Sequence, residues 1–267
     1  MERKNQFLAG RVVFITGGSS GLGEQIAYRA AQAGARVAVA ARRRERLLQV
    51  RDKCTQLSGG DAHAVVMDAA DPAQIRHAVE EVLDKFGQID VLVNNAGFGY
   101  FAEAVDFDME IAERMFRVNI LGMMHLTRLV APQMVARRSG QIINIASQGG
   151  KTATPKSTCY SATKFAVLGY SNALRLELRP HGVYVTTVNP GPIATDFFAA
   201  ADQTGDYLKR LGFVVLDADK VAKKVVQAMG RPCREVNLPL MMELGARFYT
   251  LFPRLGDFLV LKLFNFK

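Results

Sequence analysis

Tryptophan is absent from the 267-residue chain, and cysteine nearly so. The three cysteines, Cys54, Cys159 and Cys233, lie far apart without CxxC spacing, a pattern that suggests neither a disulfide framework nor a zinc site and fits a reducing interior. Four histidines (His63, His77, His125, His181) show no metal-ligand spacing, so no metal is expected. No run reaches the roughly 18 uninterrupted apolar residues of a membrane-spanning helix. The opening MERKNQFLAG lacks the apolar stretch of a secretion signal, and the expected compartment is the cytoplasm. Repeats, low-complexity stretches and linkers are missing too, which leaves one domain over residues 1–267 as the expectation. What remains is 49% hydrophobic and 22% charged, ordinary globular usage that excludes disordered and fibrous classes. The net charge of +9 is spread along the chain, with no basic stripe and interleaved aromatics. It suits a phosphate-bearing small molecule, and no nucleic-acid partner is expected.

Apolar runs of strand length recur at 11–17, 35–41, 62–68, 90–96, 141–147 and 183–190, separated by segments long enough for helices. They are continuous rather than alternating, as expected for strands covered on both faces of a parallel sheet. Helical periodicity is clearest over 22–33, 72–86, 110–137 and 160–179, and Asp71-Pro72 reads as an N-cap followed by proline at the first helical position.

The first strand runs into Thr16-Gly17-Gly18-Ser19-Ser20-Gly21-Leu22-Gly23 and then into a helical pattern. Between a strand and a helix, such glycines permit a tight turn and close approach of backbone N–H groups to a pyrophosphate, which the positive helix end also favours. The expected fold is therefore α/β: a single Rossmann-type, doubly wound parallel sheet of about seven strands flanked by helices on both faces. At the end of the second strand stand Ala41, Arg42 and Arg43, where an Asp or Glu would hold a free ribose 2′-OH. Ala41 offers no carboxylate and Arg42 offers a fork of donors to a 2′-phosphate, so the expected cofactor is NADP(H), with Arg43 left undecided.

Tyr160 and Lys164 are four apart on a helix and share one face. A neighbouring cation lowers a phenol's pKa from about 10 toward neutrality, making it a usable acid or base. Ser147 ends the strand QIINIAS, where the carboxyl edge of a parallel sheet opens on a ligand crevice, and its hydroxyl can bond a substrate carbonyl oxygen as charge develops there. The combination of TGGSSGLG, NNAG, Asn119, Ser147, YSATK and NPGPIATD, in that order, resembles the short-chain dehydrogenase/reductase family in its compact single-domain branch, over roughly residues 8–238.

The resemblance implies that Tyr160 donates the proton in carbonyl reduction and that Lys164 lowers its pKa and bonds the nicotinamide ribose. It further implies that Ser147 polarises the carbonyl and that Asn119 holds a water linking Lys164 to solvent. Asp68 would contact the adenine, Asn95, Ala96 and Gly97 would line the cofactor cleft, and Pro190, Gly191, Ile193 and Thr195 would fix the carboxamide. Asn94 is read as a strand-end residue bonding backbone. Residues 196–216 are expected to form a lid over the substrate. The stretch 241–267 holds five of the sixteen phenylalanines together with Arg247, Arg254, Lys262 and Lys267, and either packs on the protein or touches an anionic membrane surface. Its apolar character favours a lipid-like ketone, of acyl-chain or sphingoid type, over a sugar. The expected protein is thus an NADP(H)-dependent oxidoreductase acting on a small-molecule carbonyl or alcohol, and a homodimer or homotetramer. The alternative is a non-catalytic NADP(H)-binding regulator.

Overall fold

The parallel strands are β1 (Val12–Thr16), β2 (Arg36–Ala41), β3 (Ala62–Val66), β4 (Val91–Asn94), β5 (Gly140–Ile145), β6 (Val183–Pro190) and β7 (Glu235–Leu238). In the computed structural model, which describes residues 6–201 and 212–264, they form one sheet in the order β3-β2-β1-β4-β5-β6-β7. Around it lie α1 (Gly21–Gln32), α2 (Arg44–Ser58), α3 (Pro72–Phe86), α4 (Met109–Phe116), α5 (Met123–Ala136), α6 (Thr158–Leu178), α7 (Asp196–Ala201), α8 (Ala218–Ala228), α9 (Leu240–Leu251) and α10 (Pro253–Phe264).

The continuous apolar strands follow from this covering. In β1, Val13 and Ile15 pack with α1, α2 and α8, while Val12 and Phe14 pack with α3, α5 and α6, so no position of the strand faces water. Burying each such side chain contributes about 1.5–3 kcal/mol. Asp71 caps α3 as expected, accepting from the N–H groups of Ala73 (2.8 Å) and Gln74 (3.2 Å). Asn94 differs from its expected role: its Nδ2 donates to Asn144 Oδ1 at 2.8 Å, so it ties two side chains across adjacent strands rather than bonding backbone.

The segment expected as one helix over 110–137 is interrupted. Between α4 and α5 the residues Arg117–Gly122 form a π-helical turn, whose extra residue displaces Asn119 toward the interior. At the end of this turn Gly122 packs against the backbone of Ala69, where a Cβ would lie 2.1 Å from the carbonyl oxygen. The winding of the sheet reverses between β1 and β4, and at that point the carboxyl ends of the strands leave a crevice. Among the described residues, no helix is long and apolar enough to cross a membrane.

Candidate active site

The crevice opens into a cavity of about 740 Å³. Its floor at one end is the glycine turn after β1. Thr16 fixes that turn from beneath: its Oγ1 accepts from the N–H groups of Asn95 and Ala96, both at 3.1 Å, and Asn95 Nδ2 returns a bond to the Thr16 carbonyl at 2.9 Å. A Cβ on Gly17 (φ +65°) would lie 2.9 Å from Ala96 Cα, and one on Gly23 would lie 2.4 Å from the Gly17 carbonyl oxygen. Only glycine fits either position. Ser20 precedes α1 without capping it through its side chain, so the first-turn N–H groups remain available to an anion. A cradle shaped by glycines at the positive end of a twelve-residue helix fits the pyrophosphate of a dinucleotide.

Most of the residues nominated for cofactor binding line this cavity. The exceptions are Ser19, Gly23, Arg42 and Asp68. Gly23 packs against the Gly17 carbonyl, Ser19 is buried, and half-buried Asp68 accepts from the Ala70 N–H at 2.9 Å. Arg42 is exposed and stands outside the cavity wall, whereas Arg43 lines it and donates through Nη2 to Ser19 Oγ (3.2 Å) and Ser20 Oγ (2.5 Å). Two adjacent arginines look alike in sequence; both follow β2 and both are exposed, and only the fold shows which of them lines the cavity.

Ser147, Tyr160 and Lys164 meet further along the same cavity. Ser147 and Tyr160 both line this stretch of the cavity, and Lys164 Nζ lies 5.8 Å from the phenol ring centroid while donating to the Ile145 carbonyl at 2.9 Å. Burial pushes Tyr160 up to about 12, with the Ser147 hydroxyl pulling the other way, and pushes Lys164 down to about 8. In this arrangement burial, rather than the neighbouring ammonium, sets the direction of the Tyr160 shift. Removal from water disfavours the phenolate, and the ammonium is directed at a carbonyl. Asn119 does not reach the cavity wall. It brackets the backbone of Phe98, accepting from its N–H at 3.0 Å and donating to its carbonyl at 2.9 Å, and it also donates to Thr163 Oγ1 at 3.1 Å.

The far end of the cavity is apolar and comes largely from the expected lid and C-terminal stretch, with Phe101 as an addition that the sequence does not signal. Phe101 meets the Tyr160 ring edge to face at 5.9 Å, and Phe197 rests on the same ring at 5.7 Å. Phe197 belongs to α7, the first part of the expected lid. Residues 202–211 of that lid lie outside the described residues. The opposite wall comes from α9 and α10, through Met241, Met242, Tyr249 and Leu259 among others. A partly buried polar cluster centred on buried Glu243 ties α9 to β7: Lys151 Nζ donates to Glu235 Oε2 (2.6 Å), Glu243 Oε2 (2.6 Å) and Asn237 Oδ1 (3.0 Å). Among the described residues no group of three His, Cys, Asp or Glu side chains is placed to hold a metal ion.

The sequence profile of the short chain dehydrogenase family matches residues 11–206. Dehydrogenase/reductase SDR family member 7B of Bos taurus is 33% identical over 267 residues, covering 95% of this chain and 81% of the relative. The 3-ketodihydrosphingosine reductase of Bos taurus is 34% identical over 227 residues, covering 82% of this chain and 68% of the relative. Among solved structures, a short-chain dehydrogenase from Sphingobium yanoikuyae in complex with NADPH superimposes with a TM-score of 0.78 at 31% identity, covering 93% of this chain and 95% of that one. Other solved neighbours hold NAD. A profile match over most of the chain, on a seven-stranded sheet with its crevice at the β1/β4 reversal, leaves one assignment: the chain belongs to the short-chain dehydrogenase/reductase family of oxidoreductases.

Proposed function

We propose that the protein is an NADP(H)-dependent reductase of an apolar, lipid-like ketone. The observation that carries this reading is one cavity with three chemically distinct parts: a glycine cradle with Arg43 at one end, Ser147, Tyr160 and Lys164 in the middle, and an apolar wall from α9 and α10 at the other. When bound, the nicotinamide supplies the hydride. Gly17, Ser20, Gly21, Leu22 and Arg43 would hold its phosphates, and Asn95, Gly97, Lys164, Pro190, Gly191, Ile193 and Thr195 would flank the rest. A phenol held at about 12 keeps its proton at neutral pH, which suits a proton donor and therefore the direction ketone to alcohol. Ser147 donates to the oxygen that gains charge. Asn119 acts as a positioning residue, holding the Phe98 segment beside Gly97. The apolar far wall, and a relative whose name is 3-ketodihydrosphingosine reductase, support the substrate class.

The exposed apolar side chains Phe116, Leu121, Met124 and Phe165, on the α4–α5 segment and on α6, support a homo-oligomer built on those helices. Three free cysteines support a reducing, cytoplasmic setting.

Cofactor choice supplies the test. Purified protein is expected to prefer NADPH to NADH by at least tenfold in kcat/KM, and the opposite preference would overturn the NADP reading. Arg43→Ala should raise KM for NADPH at least about tenfold, near 1.4 kcal/mol, while leaving KM for NADH little changed. Arg42→Ala, assayed in parallel, decides whether the exposed neighbour shares the contact.

A further inference from the structure

The helices that wall the apolar end of the cavity are bare on their other side. On α9, Leu240, Leu244 and Leu251 recur at helical spacing on the exposed surface, and Leu255, Phe258 and Leu261 do the same on α10. None of these six lines the cavity. Leu251 is 73% exposed and Leu240 67%, values unusual for side chains of this kind clustered on one hairpin. Cations stand among them. Arg254 and Lys262 are exposed, and Lys262 Nζ lies 6.0 Å from the Phe258 ring centroid, while exposed Arg247 is paired with Glu243. Of the acids on the same hairpin, Glu243 is buried between Lys151 and Arg247, and exposed Asp257, which accepts from the Tyr249 hydroxyl at 2.7 Å, is outnumbered by Arg254 and Lys262.

A hairpin apolar on its outer face, fringed by cations and too short to cross a bilayer is suited to lie in the interfacial plane. We propose that the outer face of α9–α10 docks on an anionic lipid leaflet, so that an apolar substrate passes from the leaflet into the cavity that the inner face of the same hairpin encloses. Charge complementarity selects an anionic leaflet over a neutral one. The continuity of outer and inner faces gives the contact a purpose: a long-chain ketone need never cross water between membrane and Tyr160. The docking half stands on the hairpin alone; the delivery half rests on the proposed substrate class.

The experiment is co-sedimentation with vesicles of phosphatidylcholine alone or of phosphatidylcholine with phosphatidylglycerol, for wild type and for a Leu251→Glu/Leu255→Glu variant. Both positions are exposed and outside the cavity, so reduction of a short, water-soluble ketone by the variant is expected to be unchanged and reports on folding. Wild type is expected to sediment with the anionic vesicles at least tenfold more than with neutral ones, less so as salt is raised. The variant should lose at least tenfold of that binding, and with it at least tenfold of the turnover of a long-chain ketone presented in vesicles. Wild type remaining in solution, or a variant that binds as well, overturns the proposal. So does a variant that turns a dimer into a monomer in light scattering while the wild type ignores vesicles, since the face then joins two copies of the chain. Vesicle binding without turnover of either ketone leaves the docking surface standing and overturns the proposed function instead.

Discussion

A Tyr160→Phe protein is expected to bind NADPH nearly as tightly as the wild type and to lose about 10²–10⁴-fold in kcat, the range that a positioned acid or base contributes. The substitution removes one oxygen and keeps the ring between Phe101 and Phe197, so the aromatic packing that shapes the site persists. Binding and turnover therefore separate, and fluorescence titration of the cofactor beside a steady-state assay reads both. A variant that keeps turnover within a few-fold would show that the proton comes from elsewhere. The pH profile carries the same argument further. Because burial holds Tyr160 near 12, its proton is in place throughout the neutral range, and the first group to change on the alkaline side is Lys164, which loses its charge as pH rises through about 8. Ketone reduction by the wild type should be flat below that pH and fall above it.

Much of this site could be read from residue order, because each motif sits where a strand ends and needs only local chemistry to be recognised. The glycine turn, Ser147 after β5 and the Tyr160–Lys164 pair on α6 all stand where the apolar runs and helical spacing place them. What could not be read depends on contacts distant in sequence. β7 has the sequence EVNL at the sheet edge, with every residue only half-buried, and so lacks the continuous apolar run that marks the other strands. The break at Arg117–Gly122 leaves helical periodicity nearly intact, and the close approach of Gly122 to the Ala69 carbonyl joins positions about fifty residues apart in the chain. The direction of the Tyr160 shift is not legible for a related reason: spacing brings an ammonium close but says nothing of burial, which is the larger effect here.

The Lys151 cluster was equally invisible, and its removal is expected to have the largest effect on stability. Lys151→Met leaves Glu235 and Glu243 without the ammonium they share; Glu243 is 5% exposed, so its charge cannot be returned to water without moving α9. Breaking one partner of such a buried set costs about 3–5 kcal/mol, and Arg247, which still donates to Glu243 Oε1 at 2.9 Å, keeps the expected value near the lower end. A loss of about 3 kcal/mol corresponds to a fall of roughly 6–12 °C in Tm for a chain of this size. The pH dependence has a definite sign. Burial alone would raise the Glu235 carboxyl, but the Lys151 and Asn237 bonds outweigh it and hold the group below its ordinary value. Its contribution is therefore complete above the ordinary carboxylate range and is lost as pH falls through the depressed folded value. The difference in Tm between wild type and Lys151→Met should accordingly be widest at neutral pH and narrow on acidification. Adding Glu243→Gln to Lys151→Met should recover part of the loss, because a carboxamide can be buried without a counter-ion. A Tm that does not move, or a double variant weaker than the single, would mean that the cluster does not hold the hairpin. If it does, α9 loosens as one wall of the cavity, and KM for an apolar ketone rises more than KM for the dinucleotide, which is cradled at the opposite end.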